Sequence, residues 1–262
     1  MNKSIDKLQE SVSTIFEISW NRIENKSPVA AQLIRLCAFL HQQPIPEVIL
    51  KQGTKGLIGT FELIFNPDAL DEELVEASQS GFLRYDSSKK IFILENLVHS
   101  FLKKRMSDSE QSLYAGLAVR AVNNVFPEAG LSTYSSQCKC LLPSAQICVE
   151  LVKTWNLEFE EAAILLEKIG LCQFENNEYA KTESLFKQAL AIREQLPDKQ
   201  ELDLAKNLTY LASAYHAQGD YDQAKSMCER ALGICENMLG ETHSEIAESL
   251  SNIARQLVME SK

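Results

Sequence analysis

Between residues 205 and 215 apolar side chains return at Leu208, Leu211, Ala212 and Tyr215, the i, i+3, i+4, i+7 spacing that gathers them on one side of an α-helix. Gly219-Asp220 interrupts the pattern, and a second stripe follows at Tyr221, Ala224, Cys228, Ala231 and Leu232. Two such stripes predict a pair of helices folded face to face. The pattern recurs: Ile169-Gly170 through Asn177-Glu178-Tyr179 to Ala189-Leu190 repeats it with an offset of 42 residues. A further shift of 42 lays Ala247 to Ala254 on Ala205 to Ala212, so two full units and the first helix of a third are expected. One helix pair cannot bury both its faces, and stacking on neighbours completes the core. The small Ala212, or Gly170 in the first unit, lets the partner helix approach closely.

The N-terminal stretch reads differently. Leu33, Leu36, Cys37 and Leu40 give an amphipathic helix over Val29 to Leu40, entered at Ser27-Pro28 with Pro at the first helical position. A second helix is expected near Pro46 and a third near Asp68 to Leu74, whose acids suit a helix N-terminus. Phe82-Leu83-Arg84-Tyr85 and Ile91-Phe92-Ile93-Leu94 flank the polar turn 86–90, a β-hairpin signature, and a helix carrying Leu97, Val98, Phe101 and Leu102 follows. Beyond it, 109–125 reads as helix, 126–137 as a turn-rich loop and Pro143 to Trp155 as helix, a hairpin expected to join the array.

Only 10 Gly and 7 Pro among 262 residues leave too few turn-formers for a many-stranded sandwich or barrel. The formal charge of −10 is unevenly placed: residues 157–262 hold 19 acids and 10 bases, the remainder 17 and 16. An acidic surface repels phosphate, which argues against sequence-independent nucleic-acid binding by the C-terminal part. Seven scattered cysteines, an odd number, fit free thiols in a reducing compartment, and Met1 to Asp6 lacks the layout of a signal peptide. With no run near 18 apolar residues, the expectation is a cytoplasmic chain with no membrane span.

The run Leu-Ala-x-x-Tyr-x-x-Gln-Gly-x-Tyr-x-x-Ala from Leu211 to Ala224, followed by Arg230-Ala231-Leu232, resembles the tetratricopeptide repeat family in its 42-residue, kinesin-light-chain-like variety. Leu239-Gly240-Glu241-Thr242-His243 resembles that variety's inter-repeat loop. The first unit departs from the pattern at Gln173, Asn177 and Thr182, where Tyr, Gly and Ala are usual. Three helices then a hairpin is a winged-helix order, and Leu36 to Leu40, Ser80 to Leu83, Leu97-Val98 and Leu141-Leu142-Pro143 resemble the winged-helix segment of NB-ARC or STAND-type signal-transduction NTPases. The expected fold class is mainly α: a winged-helix-like domain with a small β-hairpin (1–106), a connecting helical hairpin (107–156) and an α-α superhelical tetratricopeptide array (157–262).

Catalytic and cofactor chemistry finds no support in the residues. The nearest phosphate-loop candidate, Gly53 to Thr60, has the wrong spacing and no Lys after its last Gly, and reads as an ordinary flexible loop. The Met-His-Asp motif of the NTPase family, whose His is expected to contact ADP, falls on Leu94-Glu95-Asn96; Glu95 would bring negative charge to a diphosphate and instead suits a helix start. Cys138-Lys139-Cys140 with Cys148 lacks zinc-ligand spacing, and the histidines (His41, His99, His216, His243) lie in unrelated contexts. Lys89-Lys90 and Lys103-Lys104-Arg105 could grip DNA, but Asp71, Glu72, Glu73 and Glu76 on the third helix would meet phosphate with like charge. Neither catalytic residues, cofactor nor metal are therefore expected.

In tetratricopeptide arrays the first helices of successive hairpins line a groove. Here its stripe would comprise Lys206, Thr209, Ser213 and His216 with Tyr210 on the flank, Asn252 and Arg255 on the third unit, and Glu167, Leu171 and Phe174 on the first. That mix suits a protein or peptide segment of some acidic character. The resemblance implies a non-catalytic interaction and sensor module of a STAND-type protein; a winged-helix DNA-binding regulator and a free-standing cargo adaptor are the alternatives, and oligomeric state is left open.

Overall fold

The computed structural model describes residues 2–40, 44–55, 57, 70–128, 134–197 and 200–241. It is mainly helical, with one small three-stranded sheet and an array of helical hairpins. The chain divides into two compact units, residues 1–125 with 140–156, and residues 126–139 with 157–262.

The first unit opens with α1 (Asn2–Lys26) and α2 (Pro28–Cys37). Ser27 separates them: its hydroxyl accepts from the Ala30 amide at 3.1 Å, and Pro28 fills the first helical position, where no amide is needed. No element had been assigned to the first 26 residues from sequence, yet α1 carries Trp20, fully buried against the edge of Phe82 at 5.4 Å. The Arg35 guanidinium covers the Trp20 ring from α2.

Near Pro46 the structure departs from expectation. Ile45–Pro46 form a strand, β1, and the helical segment behind it is a π turn over Ile49–Gly53. β1 pairs antiparallel with β3 (Ile91–Leu94), which also pairs with β2 (Leu83–Asp86), giving the order β1-β3-β2. Proline is tolerated because β1 is an edge strand, where its missing amide disturbs no ladder. Gly53, expected in a flexible loop, is buried in the π turn against α5 (Asp108–Val125), where a Cβ would fall 2.2 Å from the Ala121 carbonyl oxygen. Asn124 of α5 donates to the Gly53 carbonyl at 2.8 Å, fixing the contact.

α3 (Leu70–Gln79) begins with Asp71, Glu72 and Glu73 in its first turn, and Glu73 accepts from the Ser27 hydroxyl. α4 (Asn96–Arg105) follows the hairpin with Glu95 at its N-cap. Two of the three cations ending α4 serve the fold: Lys103 lies 4.0 Å above the Phe39 ring, and Arg105 pairs with Glu17 and Glu24. α5 packs on the π turn and α2, so it belongs to this unit and not to the array. α6 (Tyr134–Trp155) carries Pro143 inside the helix, where a helix start had been expected, and its residues from Cys140 onward belong to the first unit.

The second unit is built on α7 (Glu160–Glu175), α8 (Tyr179–Gln195), α9 (Glu201–Gln218) and α10 (Tyr221–Glu241). Each of these helices packs on the next in chain order, and Leu208, Leu211, Ala212 and Tyr215 are all buried. On α10 the expected stripe holds at Ala224, Cys228 and Ala231, whereas Tyr221 is 48% exposed. α10 also runs through Leu239-Gly240-Glu241, where an inter-repeat loop had been expected; Thr242, His243 and the third unit's helix lie outside the described residues.

The turns closing the two hairpins share one geometry despite different residues. Gly219 takes φ +82° at the end of α9, and the Asp220 amide donates to the Tyr215 carbonyl at 3.0 Å. At the equivalent place Asn177 takes φ +61°, and the Glu178 amide donates to the Gln173 carbonyl at 3.0 Å. Asn is the residue after Gly that best tolerates the left-handed region, so its departure from the repeat pattern leaves the turn intact.

Candidate protein-binding face

α9 contributes the row Lys206, Tyr210 and Ser213, spaced i, i+4, i+7 and each half-buried. The Lys206 ammonium lies 5.8 Å from the centre of the Tyr210 ring, while the ring stacks on Phe186 of α8 at 5.5 Å. Burial raises the Tyr210 pKa above its ordinary value, and Lys206 partly offsets this. Beside it on α7, Lys168 pairs with Glu128 at 3.0 Å, bringing the 126–128 segment to this face. The sequence stripe had not included Lys168, although it stands one 42-residue repeat before Tyr210.

The other expected residues are placed differently. Thr209 is 3% exposed and its hydroxyl donates to the Ala205 carbonyl at 2.9 Å, so it presents nothing on the surface. Ser213 donates likewise to the Thr209 carbonyl at 3.0 Å but stays half-exposed. Phe174 meets Tyr179 edge-on at 5.3 Å, and His216 meets Tyr221 in the same way at 5.2 Å. Both pairs bridge the turn between the two helices of one repeat, at equivalent positions. Asn252 and Arg255 lie outside the described residues.

Glu167, expected on the groove, is instead buried inside the unit. Arg193 of α8 donates to its carboxylate through Nε at 2.7 Å and a terminal nitrogen at 3.1 Å, and Asn207 of α9 donates to it at 3.0 Å. This is the bidentate, charge-assisted geometry in which a buried carboxylate is satisfied. Leu171 packs with Phe186, Leu211 and Tyr215 in the core. The first repeat's face is thereby reduced to Lys168 and its surroundings.

The arrangement offers a cation, a phenol and a hydroxyl in line along one helix, which is hydrogen-bonding capacity for a polypeptide. Residues 160–224 and 203–259 match the family model of the tetratricopeptide repeat. No curated protein matches the chain. Among solved structures, one similar chain is a signal transduction ATPase with numerous domains (STAND) protein with a tetratricopeptide repeat sensor from Pyrococcus horikoshii, at 13% identity and a TM-score of 0.38. That match covers 95% of this chain but 37% of the other, and the superposition is too loose to establish a common fold. The helix pairs α7–α8 and α9–α10 are tetratricopeptide repeats, by family match and by their hairpin geometry together.

Proposed function

We propose that this chain is a non-catalytic interaction module that holds a protein or peptide segment along the face formed by α7 and α9. The observation that carries the reading is the tetratricopeptide match over 160–259 combined with the Lys206, Tyr210 and Ser213 row on α9. Lys206 supplies the cation for an acidic ligand and Tyr210 a ring held in place by Phe186; Asn252 and Arg255 enter the proposal by sequence register alone, one 42-residue repeat after Tyr210 and Ser213. Phe174 and His216 border it at the hairpin turns.

The N-terminal unit, with α2, the π turn, α3, the β2–β3 hairpin and α4 in winged-helix order, is the regulatory part of a STAND-type signalling protein in this proposal. A DNA-reading role is the weaker alternative: α3 carries four acids and no base, and Lys103 and Arg105 are engaged by Phe39, Glu17 and Glu24. The seven cysteines as free thiols and the lack, among the described residues, of a helix long and apolar enough to cross a membrane support a cytoplasmic setting.

The test exchanges Lys206→Glu and Arg255→Glu in the full chain and compares affinity-captured partners by quantitative mass spectrometry. Loss of specific partners with an unchanged circular dichroism melt supports the reading; an unaltered partner set with the fold kept overturns it.

A further inference from the structure

A second place for a ligand lies in the first unit, away from the repeats. On α3, Asp71, Leu74, Val75 and Ser78 fall at i, i+3, i+4 and i+7 and so share one side, which faces the hairpin ring pair Tyr85 and Phe92. The two walls do not close. They leave an open pocket of about 290 Å³, floored by buried Leu74 and Phe92. Val75 at 54% and Tyr85 at 36% exposure stand at its rim, two large apolar side chains left in water beside an unfilled space. The volume lies at the lower edge of the range of about 300–1,000 Å³ usual for small-molecule sites, room for one or two side chains of a polypeptide.

Charge decides which polypeptide. At one end of the pocket the Lys51 ammonium bridges Glu47 at 2.9 Å and Asp71 at 2.8 Å, while the Asp71 side chain stays 75% exposed. Tyr85 donates its hydroxyl to Glu47 at 3.1 Å, and Lys90 acts on Glu47 from the hairpin turn. Among the residues that line the pocket, two carboxylates, Glu47 and Asp71, face one ammonium group, Lys51. The rim is therefore net negative, and the open side of Asp71 is its most accessible acceptor.

We propose that this pocket binds a basic-apolar segment of a partner protein, with a leucine- or phenylalanine-sized side chain between α3 and the hairpin and an adjacent arginine on Asp71. Arginine fits better than lysine because its planar fork meets a carboxylate through two parallel bonds. Acidic peptides and nucleic acid are disfavoured by the same rim.

The experiment uses the full chain, labelled with ¹⁵N, and two capped peptides, Arg-Leu-Phe-Arg and Glu-Leu-Phe-Glu. Binding is read from amide shifts in α3 and β2, and competition is tried with duplex DNA. The expected result is saturable shifts there with the basic peptide at least tenfold tighter than its acidic twin. Val75→Arg, an exposed position where folding is not at risk, should weaken it tenfold or more. Asp71→Asn should weaken it severalfold and flatten its salt dependence, and Lys206→Glu should leave it unchanged, which separates this site from the repeat face. No shifts at millimolar basic peptide, equal binding of the two peptides, indifference to Val75→Arg, or displacement by DNA would overturn the proposal.

Discussion

The ring of Phe186 occupies the space that a side chain on Gly170 would need: a Cβ there would come within 2.5 Å of Cε1. One repeat later the same two positions are Ala212 and Cys228, which pack on each other fully buried. The repeats thus solve one helix-helix contact twice, with a glycine against a large ring in the first and two small side chains in the second.

Gly170→Ala tests that relationship, because two effects oppose. Helix propensity favours Ala by about 1 kcal/mol, and overpacking a full core costs about 1–3 kcal/mol. Phe186 is buried and stacked on Tyr210, so its ring has no easy retreat and the clash should win. Net destabilisation of up to about 2 kcal/mol is expected in urea titration. Pairing it with Phe186→Cys should cost less than the sum of the single changes, by about 0.5–3 kcal/mol in a double-mutant cycle.

Glu167 and Arg193 form a pair whose side chains are 7% and 5% exposed, with Asn207 completing the carboxylate's bonds. Arg193→Ala leaves a buried carboxylate without its countercharge and should lower stability by about 3–5 kcal/mol, as should Glu167→Ala for the guanidinium. Replacing both by Leu and Met removes charge and desolvation cost together, so it should lie within about 1–2 kcal/mol of the parent. If each single change melts like the parent, the pair contributes nothing to the fold.

Gly53 and Gly233 should respond to alanine in opposite directions. At Gly53 the obstruction is the backbone carbonyl of Ala121, which cannot rotate away, and a loss of about 3 kcal/mol is expected. At Gly233, inside α10 with open space around it, alanine should stabilise by about 0.5–1 kcal/mol. Differential scanning calorimetry of the two variants distinguishes them by sign.

Thiol reactivity should single out Cys140. It is exposed, whereas the other six cysteines are buried. Burial pushes the Cys37 and Cys148 thiols far above their ordinary range, that of Cys172 to about 12 and that of Cys228 to about 11. Iodoacetamide at pH 8 should label Cys140 first in the native protein and all seven in urea, read by peptide mass spectrometry.

The helix pairs, their 42-residue period and their buried stripes at Leu208, Leu211, Ala212 and Tyr215 were legible in the residues alone. So was the hairpin around residues 86–90. These features are local: a period of 3.6 or 2 is written into neighbours along the chain, and stacking acts on it without changing it. Glu167 shows the limit. Its spacing places it on the side of α7 away from the core stripe, and only the approach of Arg193 and Asn207, 26 and 40 residues further on, turns that side into an interior. Strand β1 is likewise created by β3, since two residues carry no period of their own. Phe174 and His216 belong to the hairpin turns because Tyr179 and Tyr221 reach them from the next helix. The sequence by itself determined the helix pairs of the repeats and the apolar stripe of α9; the tertiary structure decided which of the remaining polar and aromatic groups are buried or engaged. The reason is physical: periodicity is a property of one element, whereas a buried charge or a ring contact exists only where two elements meet.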